Sequence, residues 1–182
     1  MVVKLLRMIY PHCRGILVAL ACFALMAFTG LEQLFAPTSE LWARWAQHDK
    51  SSGARIDHSK WTALLKKTVR RDPKGVDQVD YGAYTATDRK RLADYITVLS
   101  KVPVDSRHPA EQRAFWINLY NALTVKTVLD HYPVDSIRDI DISPGIFVDG
   151  PWDKKLIKVE GIMVSLNDIE HRILRPIWRD PR

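Results

Sequence analysis

The sequence predicts an α+β fold, a mostly helical single domain around one buried central helix, with a small β-hairpin before the last helix. Residues 109–130 have the periodicity of a helix, and their middle section, 114–125, contains no charged side chain. A helix that is apolar on every side is buried in the core of a domain. Further on, apolar residues surround the pair Glu160-Gly161 within 155–164, which is typical of a hairpin with a tight turn.

Three shorter helices are predicted before the central one, because a serine or threonine that can accept a backbone hydrogen bond precedes each apolar pattern. They are 40–47 after Thr38 or Ser39, 60–70 after Ser59, and a third that Thr87 caps and that ends at about Lys101. Trp61, Leu64 and Leu65 have the spacing of the buried face of a helix. Residues 76–84 are predicted to be extended.

The last helix is predicted to begin at Ser165. Residues 165–168 read Ser-Leu-Asn-Asp, which is a capping box with Asp in place of the usual Glu or Gln. The pair Arg175-Pro176 is expected to end or kink this helix, because proline has no backbone N–H to donate.

Composition and charge exclude several classes of protein. Hydrophobic residues make up 47% and charged residues 26% of the 182 residues, as in a globular protein rather than a disordered one. The formal charge of +6 is spread over mixed-sign runs without interleaved aromatic residues, so no nucleic-acid partner is expected. Both cysteines, Cys13 and Cys22, precede residue 37, which excludes a thiol nucleophile or a cysteine zinc site within 37–182. No phosphate-binding glycine loop and no metal-ligand spacing of histidines occurs, so neither a cofactor nor a metal is predicted.

Residues 1–36 have the layout of an export signal. Their basic residues come first: Lys4, Arg7 and Arg14. An apolar run follows at 16–28, shorter than the about 20 residues of a membrane-spanning helix. A signal peptide or an N-terminal membrane anchor is therefore predicted, and an imperfect lipobox before Cys22 adds lipidation as an alternative. The basic flank predicts that 37–182 is exported, either periplasmic or facing the periplasm, with membrane contact only through an uncleaved leader.

His171 is the strongest candidate for chemistry. It follows Glu170 on the predicted last helix, and a histidine held by a neighbouring carboxylate can act as a general base. We therefore predict His171 and Glu170 as catalytic candidates. The structural alternative is a half-buried histidine that is hydrogen-bonded to the backbone.

Asn118 and Asn121 stand out in the uncharged section of the central helix. Amide side chains can orient an imidazole or donate to an oxyanion, so Asn118 is a catalytic candidate and Asn121 a binding candidate. Alternatively, both are buried amides that hold other segments on the helix. Trp152, in the loop 150–153, is predicted either to line a binding cleft or to cover the hairpin.

Three motifs stand in order along the chain: AFWINLYNALT at 114–124, GPWDKK at 150–155 and SLNDIEHRILR at 165–175. They resemble the motifs of the domain-of-unknown-function 547 family, which is found in bacteria and plants. The resemblance runs from about Trp61 to the end of the chain, where the triplet 180–182 resembles the start of a further motif.

The resemblance implies a thiol-hydrolase-like site composed of an asparagine, a histidine and a later cysteine. Asn118 and His171 match the first two, whereas the cysteine that follows the Asp-Pro-Arg triplet in the family has no counterpart in this chain. The chain is then expected to be a truncated product of a longer reading frame, or a copy without the thiol, and inactive by that route. The alternative function is a non-catalytic module that binds a peptide, a glycan or an envelope protein.

Overall fold

The computed structural model describes residues 40–73, 75, 77–145 and 149–179. Its helices and strands are, in chain order, α1 (Ser59–Thr68), β1 (Val69–Arg70), β2 (Gln78–Val79), α2 (Ala86–Leu99), α3 (Pro109–His131), β3 (Ile157–Val159), β4 (Ile162–Val164) and a last helix, α4, which is π-helical over Asp168–Leu174 and α-helical over Arg175–Trp178. These elements confirm the predicted α+β class. The predicted leader, 1–36, and the caps Thr38 and Ser39 lie outside the described residues. In the described part of the chain, no helix is long and apolar enough to cross a membrane.

The core is built around α3, as the sequence predicts. Phe115, Trp116 and Leu119 on this helix have no exposed surface, and the helix packs against α2 and α4. The helix is not apolar on every side, however, because Arg113 and Asn121 are exposed along one strip of it. The lack of charge over 114–125 therefore indicates a largely buried helix that still meets solvent on one face.

The starts of α1 and α2 differ from the predicted caps. Ser59 is the first residue of α1 rather than its cap, and its backbone N–H donates to the Asp57 carboxylate at 2.8 Å. α2 is capped by Thr85 rather than Thr87, because Thr85 and Asp88 form a reciprocal capping box. In both helices an aspartate accepts a hydrogen bond from a backbone N–H that has no partner within the helix.

The helix predicted at 40–47 is a single 3-10 turn, Ala43–Ala46. Trp45 in this turn is completely buried, and its ring meets the ring of Trp116 edge-on with the centroids 5.0 Å apart. Aromatic pairs prefer this arrangement to a face-to-face stack. One turn is therefore enough to insert a large side chain into the core beside α3.

Two small antiparallel sheets lie within the described residues. β3 and β4 form the predicted hairpin, in which Val159 pairs with Ile162. Glu160 and Gly161 between them have φ angles of 43° and 85°, the left-handed conformation of a type I′ turn. β1 pairs with β2 in the second sheet, so the prediction of extended structure at 76–84 is correct for β2, whereas a 3-10 turn follows it.

Candidate functional site

The start of α4 is fixed by the predicted capping box. The backbone N–H of Ser165 donates to Asp168 Oδ2 at 2.9 Å, and the backbone N–H of Asp168 donates to Ser165 Oγ at 3.1 Å. Lys155 and Arg172 also donate to this buried carboxylate. Burial alone would raise the pKa of Asp168, but the hydrogen bonds from Lys155 and Ser165 outweigh it and hold the pKa below its usual value. The carboxylate therefore stays charged and keeps this end of the helix in place.

α4 has a wide, π-helical register over Asp168–Leu174. The backbone N–H of Arg175 donates to the carbonyl of Glu170, five residues earlier, instead of to that of His171. Pro176 does not end the helix, which continues to Trp178. π-helical turns are rare and are found frequently at functional sites. At the predicted end or kink, Arg175-Pro176, the helix thus changes from a π-helical to an α-helical turn and continues.

The π-helical turn brings the Glu170 and Arg175 side chains together. Arg175 donates to Glu170 Oε1 from Nη2 at 2.7 Å and from Nε at 3.2 Å. In an α-helix, residues five positions apart point in directions that differ by about 140°, so this contact depends on the π-helical turn. Tyr120 on α3 donates its hydroxyl to Glu170 Oε2 at 3.0 Å. Both carboxylate oxygens of Glu170 are therefore held, one from within α4 and one from the central helix.

His171 lies beside this fixed carboxylate. Its side chain is 15% exposed, and its Nε2 atom is 3.9 Å from Glu170 Oε1, which is a charge contact rather than a hydrogen bond. Burial lowers the pKa of His171; the Glu170 carboxylate opposes this effect, and the Arg175 guanidinium adds to it. The ring is therefore neutral at pH 7, and a proton that it accepts would meet the negative charge of Glu170.

Tyr120 stays protonated in this arrangement. Burial raises the pKa of its hydroxyl, and the adjacent Glu170 carboxylate raises it further. A protonated hydroxyl donates one hydrogen bond, and that bond goes to Glu170. Tyr120 therefore positions the carboxylate on which the charge environment of His171 depends.

The loop that contains Trp152 is fixed to the start of α4. The backbone N–H of Asn167 donates to the Trp152 carbonyl at 3.0 Å, and Asn167 Nδ2 donates to Asp153 Oδ1 at 2.7 Å. Gly150 has a φ of 79°, and a Cβ atom there would lie 2.7 Å from Trp152 Nε1, so only glycine fits. Trp152 is half-buried against the core. The negative charge of the neighbouring Asp153 acts to raise the pKa of His171.

The two asparagines of α3 lie apart from this cluster. Asn121 is exposed, so the interpretation of both as buried amides that hold other segments is wrong for Asn121. Asn118 is half-buried, and it is about 160° around the helix from Tyr120, whose hydroxyl contacts Glu170. In the described part of the chain, no hydrogen bond joins Asn118 to His171. The catalytic role of Asn118 and the binding role of Asn121 stay predictions.

Sequence reasoning missed Tyr120 and Arg175. The sequence places Arg175 only in the pair that ends or kinks the last helix, because residues 170 and 175 do not face the same side of an α-helix. Tyr120 is fifty positions from Glu170, and nothing in the local pattern indicates which residue its hydroxyl contacts. A proline directly after Arg175 was the one available signal of an irregular helical register.

No group of three or more His, Cys, Asp or Glu side chains that could hold a metal ion occurs among the described residues. Two surface grooves are lined by other parts of the domain. One of 650 Å³ lies between α1 and α2, and one of 540 Å³ lies where α3 begins, next to Trp178. Neither includes His171, Glu170 or Asn118 in its lining.

Comparison with protein families gives one match. Residues 104–181 match the model of the family described as "Protein of unknown function, DUF547". Neither a curated protein nor a solved structure matches the chain. The matched stretch contains α3, the β3–β4 hairpin and α4, and hence every residue of the cluster around Glu170, but it does not contain α1, α2 or Trp45. Residues 104–181 of this chain therefore belong to the DUF547 family.

Proposed function

We propose that this protein is an exported, thiol-hydrolase-like domain in which His171 is a general base and Glu170 stabilises the imidazolium that forms. The observation that carries the proposal is the fixed position of the Glu170 carboxylate beside His171, with Tyr120 and Arg175 holding its two oxygens. A negative charge that is already in place favours proton transfer to the imidazole, because no group has to reorient as the charge develops.

The reaction that suits this arrangement is acyl transfer through a thiol. His171 Nε2 or Nδ1 accepts the proton of an S–H group, the thiolate attacks the acyl carbonyl, and the imidazolium returns the proton to the leaving group. No cysteine occurs within 37–182. The thiol in this proposal therefore comes from an acceptor substrate.

The layout of 1–36 supports the exported location, since a basic start precedes an uncharged apolar run. We expect that fusion of these residues to a reporter enzyme that is active only in the periplasm gives reporter activity. Replacing Lys4, Arg7 and Arg14 by glutamate should reduce it, because the basic flank sets the orientation. Absence of reporter activity with the native leader, while the fusion protein is present in the cells, would contradict export.

The chemical proposal is tested with the full-length chain, a panel of acyl thioesters and a small thiol acceptor. We expect His171→Gln to lower turnover by about 100-fold or more, since general-base catalysis contributes on this scale. Glu170→Gln should lower it less, because the imidazole remains. His131→Gln is the matched control, because His131 is exposed at the end of α3 and should leave turnover unchanged.

Two results would contradict acyl transfer by this route. One is equal turnover in the wild-type chain and the His171→Gln variant. The other is no turnover of any thioester by the wild-type chain. The first result would rule out His171 as the base, and the second would favour the alternative function, a non-catalytic module that binds a peptide, a glycan or an envelope protein.

A further inference from the structure

The π-helical turn of α4 has a cause in the sequence. That cause is Pro176, near the C-terminal end of this helix. In an α-helix, the carbonyl of Arg172 would accept a hydrogen bond from the backbone N–H of residue 176. Residue 176 is proline, which has no N–H, and whose ring clashes with the carbonyl four positions earlier. A regular α-helical turn is therefore unfavourable at this point, and the wider turn before Pro176 avoids it.

The Arg172 carbonyl, to which Pro176 cannot donate, accepts a hydrogen bond from outside the helix. The backbone N–H of Trp42 donates to the Arg172 carbonyl at 2.9 Å. The Arg172 guanidinium also lies over the Trp42 ring, with its central carbon 4.4 Å from the ring centroid. Trp42 thus binds Arg172 through both backbone and side chain.

Trp42 is itself half-buried against the core. Its ring packs edge-on against Trp45 at a centroid distance of 6.0 Å, and Trp45 packs against Trp116 of α3. Residues 42–45, here called the N-terminal segment, therefore connect the middle of α4 to the central helix. This segment lies before the stretch that matches the family.

The consequence of the register concerns the pair beside His171. With the π-helical turn, Arg175 reaches Glu170. With an α-helical turn, residue 170 would instead face Leu174, and Arg175 would face His171, because residues four apart share one side of an α-helix. The same side chains would then place a positive charge, rather than a held carboxylate, next to the imidazole.

We propose that Pro176 and Trp42 are positioning residues for the Glu170–His171 pair. They hold α4 in the one register in which Arg175 contacts Glu170. The inference deepens the proposed function and rests on it for the role of His171. It also extends the functional unit beyond residues 104–181 to the N-terminal segment.

The first test is Pro176→Ala in the full-length chain, with Pro103→Ala at an exposed position as the control. Scalar couplings across backbone hydrogen bonds, measured by NMR, identify the acceptor of the Arg175 N–H. We expect the acceptor to change from the Glu170 carbonyl to the His171 carbonyl. The pKa of His171 should fall, since Arg175 moves beside it, and the melting temperature should stay equal or rise, because alanine favours a helix.

Turnover provides a second readout of the same variant. We expect kcat to fall by about tenfold or more with KM little changed, because the substrate site is intact while the base has lost its carboxylate. A purely structural role of Pro176 would leave both kcat and the His171 pKa unmoved. Trp42→Ala, with exposed Leu41→Ala as its control, should shift the His171 pKa in the same direction.

The outcomes separate this inference from the proposed function. An unchanged hydrogen-bond acceptor in Pro176→Ala overturns the inference, as does a changed acceptor with unchanged His171 pKa. A changed acceptor together with a lowered pKa supports the positioning role even without a substrate. Absence of turnover in the wild-type chain overturns only the acyl-transfer proposal, because the register and the pKa are measured independently of it.

Discussion

His58 is a second half-buried histidine, and its contacts are with α2 and α3 rather than with α4. Its Nδ1 atom lies 2.6 Å from the Tyr95 hydroxyl, while its Nε2 atom is buried without a hydrogen-bond partner in the described part of the chain. Burial lowers the pKa of His58, although the carboxylates of Glu111 and Asp57 oppose this effect. Protonation of Nε2 would bury an N–H that has no acceptor among the described residues, so the fold favours the neutral ring with its proton on Nδ1.

The lowered pKa of His58 makes the stability of the protein depend on pH. The pKa of His58 in the folded state is below the unfolded value of 6.5, so the unfolded chain binds more protons below pH 6.5. The free energy of unfolding should therefore be constant above this pH and fall as the pH is lowered through it. His58→Gln should show a smaller loss between about pH 7.5 and about pH 5.5 in urea denaturation.

His131→Gln is the control for that measurement, because His131 is exposed. The pKa of His171 is also lowered by burial, so part of the loss should remain in the His58 variant. An equal loss in the wild-type chain and in His58→Gln would show that His58 does not contribute.

At the scale of elements, the ends of helices depend on aspartates as much as on serine and threonine. Asp88 is 1% exposed and accepts hydrogen bonds from Lys67 and from both the backbone and the hydroxyl of Thr85. These contacts lower the pKa of Asp88 to about 2. The capping box at Thr85 is thus joined to α1 through Lys67, and it fixes the start of α2 against that helix.

Thr85→Ala should therefore lower the free energy of unfolding by about 1 kcal/mol, the usual cost of losing an N-cap side chain. Chemical denaturation measures this directly. The same substitution at Thr97, which is exposed within α2 and donates only to the Ala93 carbonyl, should change it by less than about 0.5 kcal/mol. Equal effects at Thr85 and Thr97 would contradict a capping role for Thr85.

At the scale of the whole molecule, the core includes residues from well before the matched family region. Trp45 and Trp61 are buried together with Trp116 of α3 in one hydrophobic cluster. Glu111 holds the segment between the first turn and α1, since it accepts hydrogen bonds from Arg55 and from the backbone of Ile56. Residues 104–181 therefore share their core with the N-terminal part of the domain.

Trp45→Ala should be strongly destabilising as a result. Truncating a completely buried tryptophan removes apolar burial and leaves a cavity beside Trp116, for which about 3–5 kcal/mol is typical. Urea denaturation followed by far-UV circular dichroism measures the change. Leu41→Ala is the control, because Leu41 is 51% exposed and its loss should cost less than about 0.5 kcal/mol. A small effect of Trp45→Ala would show that residues 104–181 fold independently of this contact.

Much of the fold was predictable because its signals are local. The apolar run of α3, the Glu160-Gly161 turn and the Ser165–Asp168 capping box each depend on residues within a few positions of one another. The sequence likewise singled out Glu170 and His171 as neighbours on the last helix. Where two local solutions compete, as at Thr85 and Thr87, Thr85 is the cap because Asp88 completes its capping box, and the contact of Asp88 with Lys67 of α1 holds that carboxylate in place.

The sequence by itself determined the class of fold, the central helix, the hairpin and the Glu170–His171 pair. The tertiary structure decided which groups hold that pair, because Tyr120 reaches Glu170 only through the packing of α3 on α4. It also decided the partner of the Arg172 carbonyl, which accepts the backbone N–H of Trp42, a residue 130 positions earlier in the chain. Helical periodicity is a property of neighbouring residues, whereas the partner of a buried polar group depends on what the whole fold brings beside it.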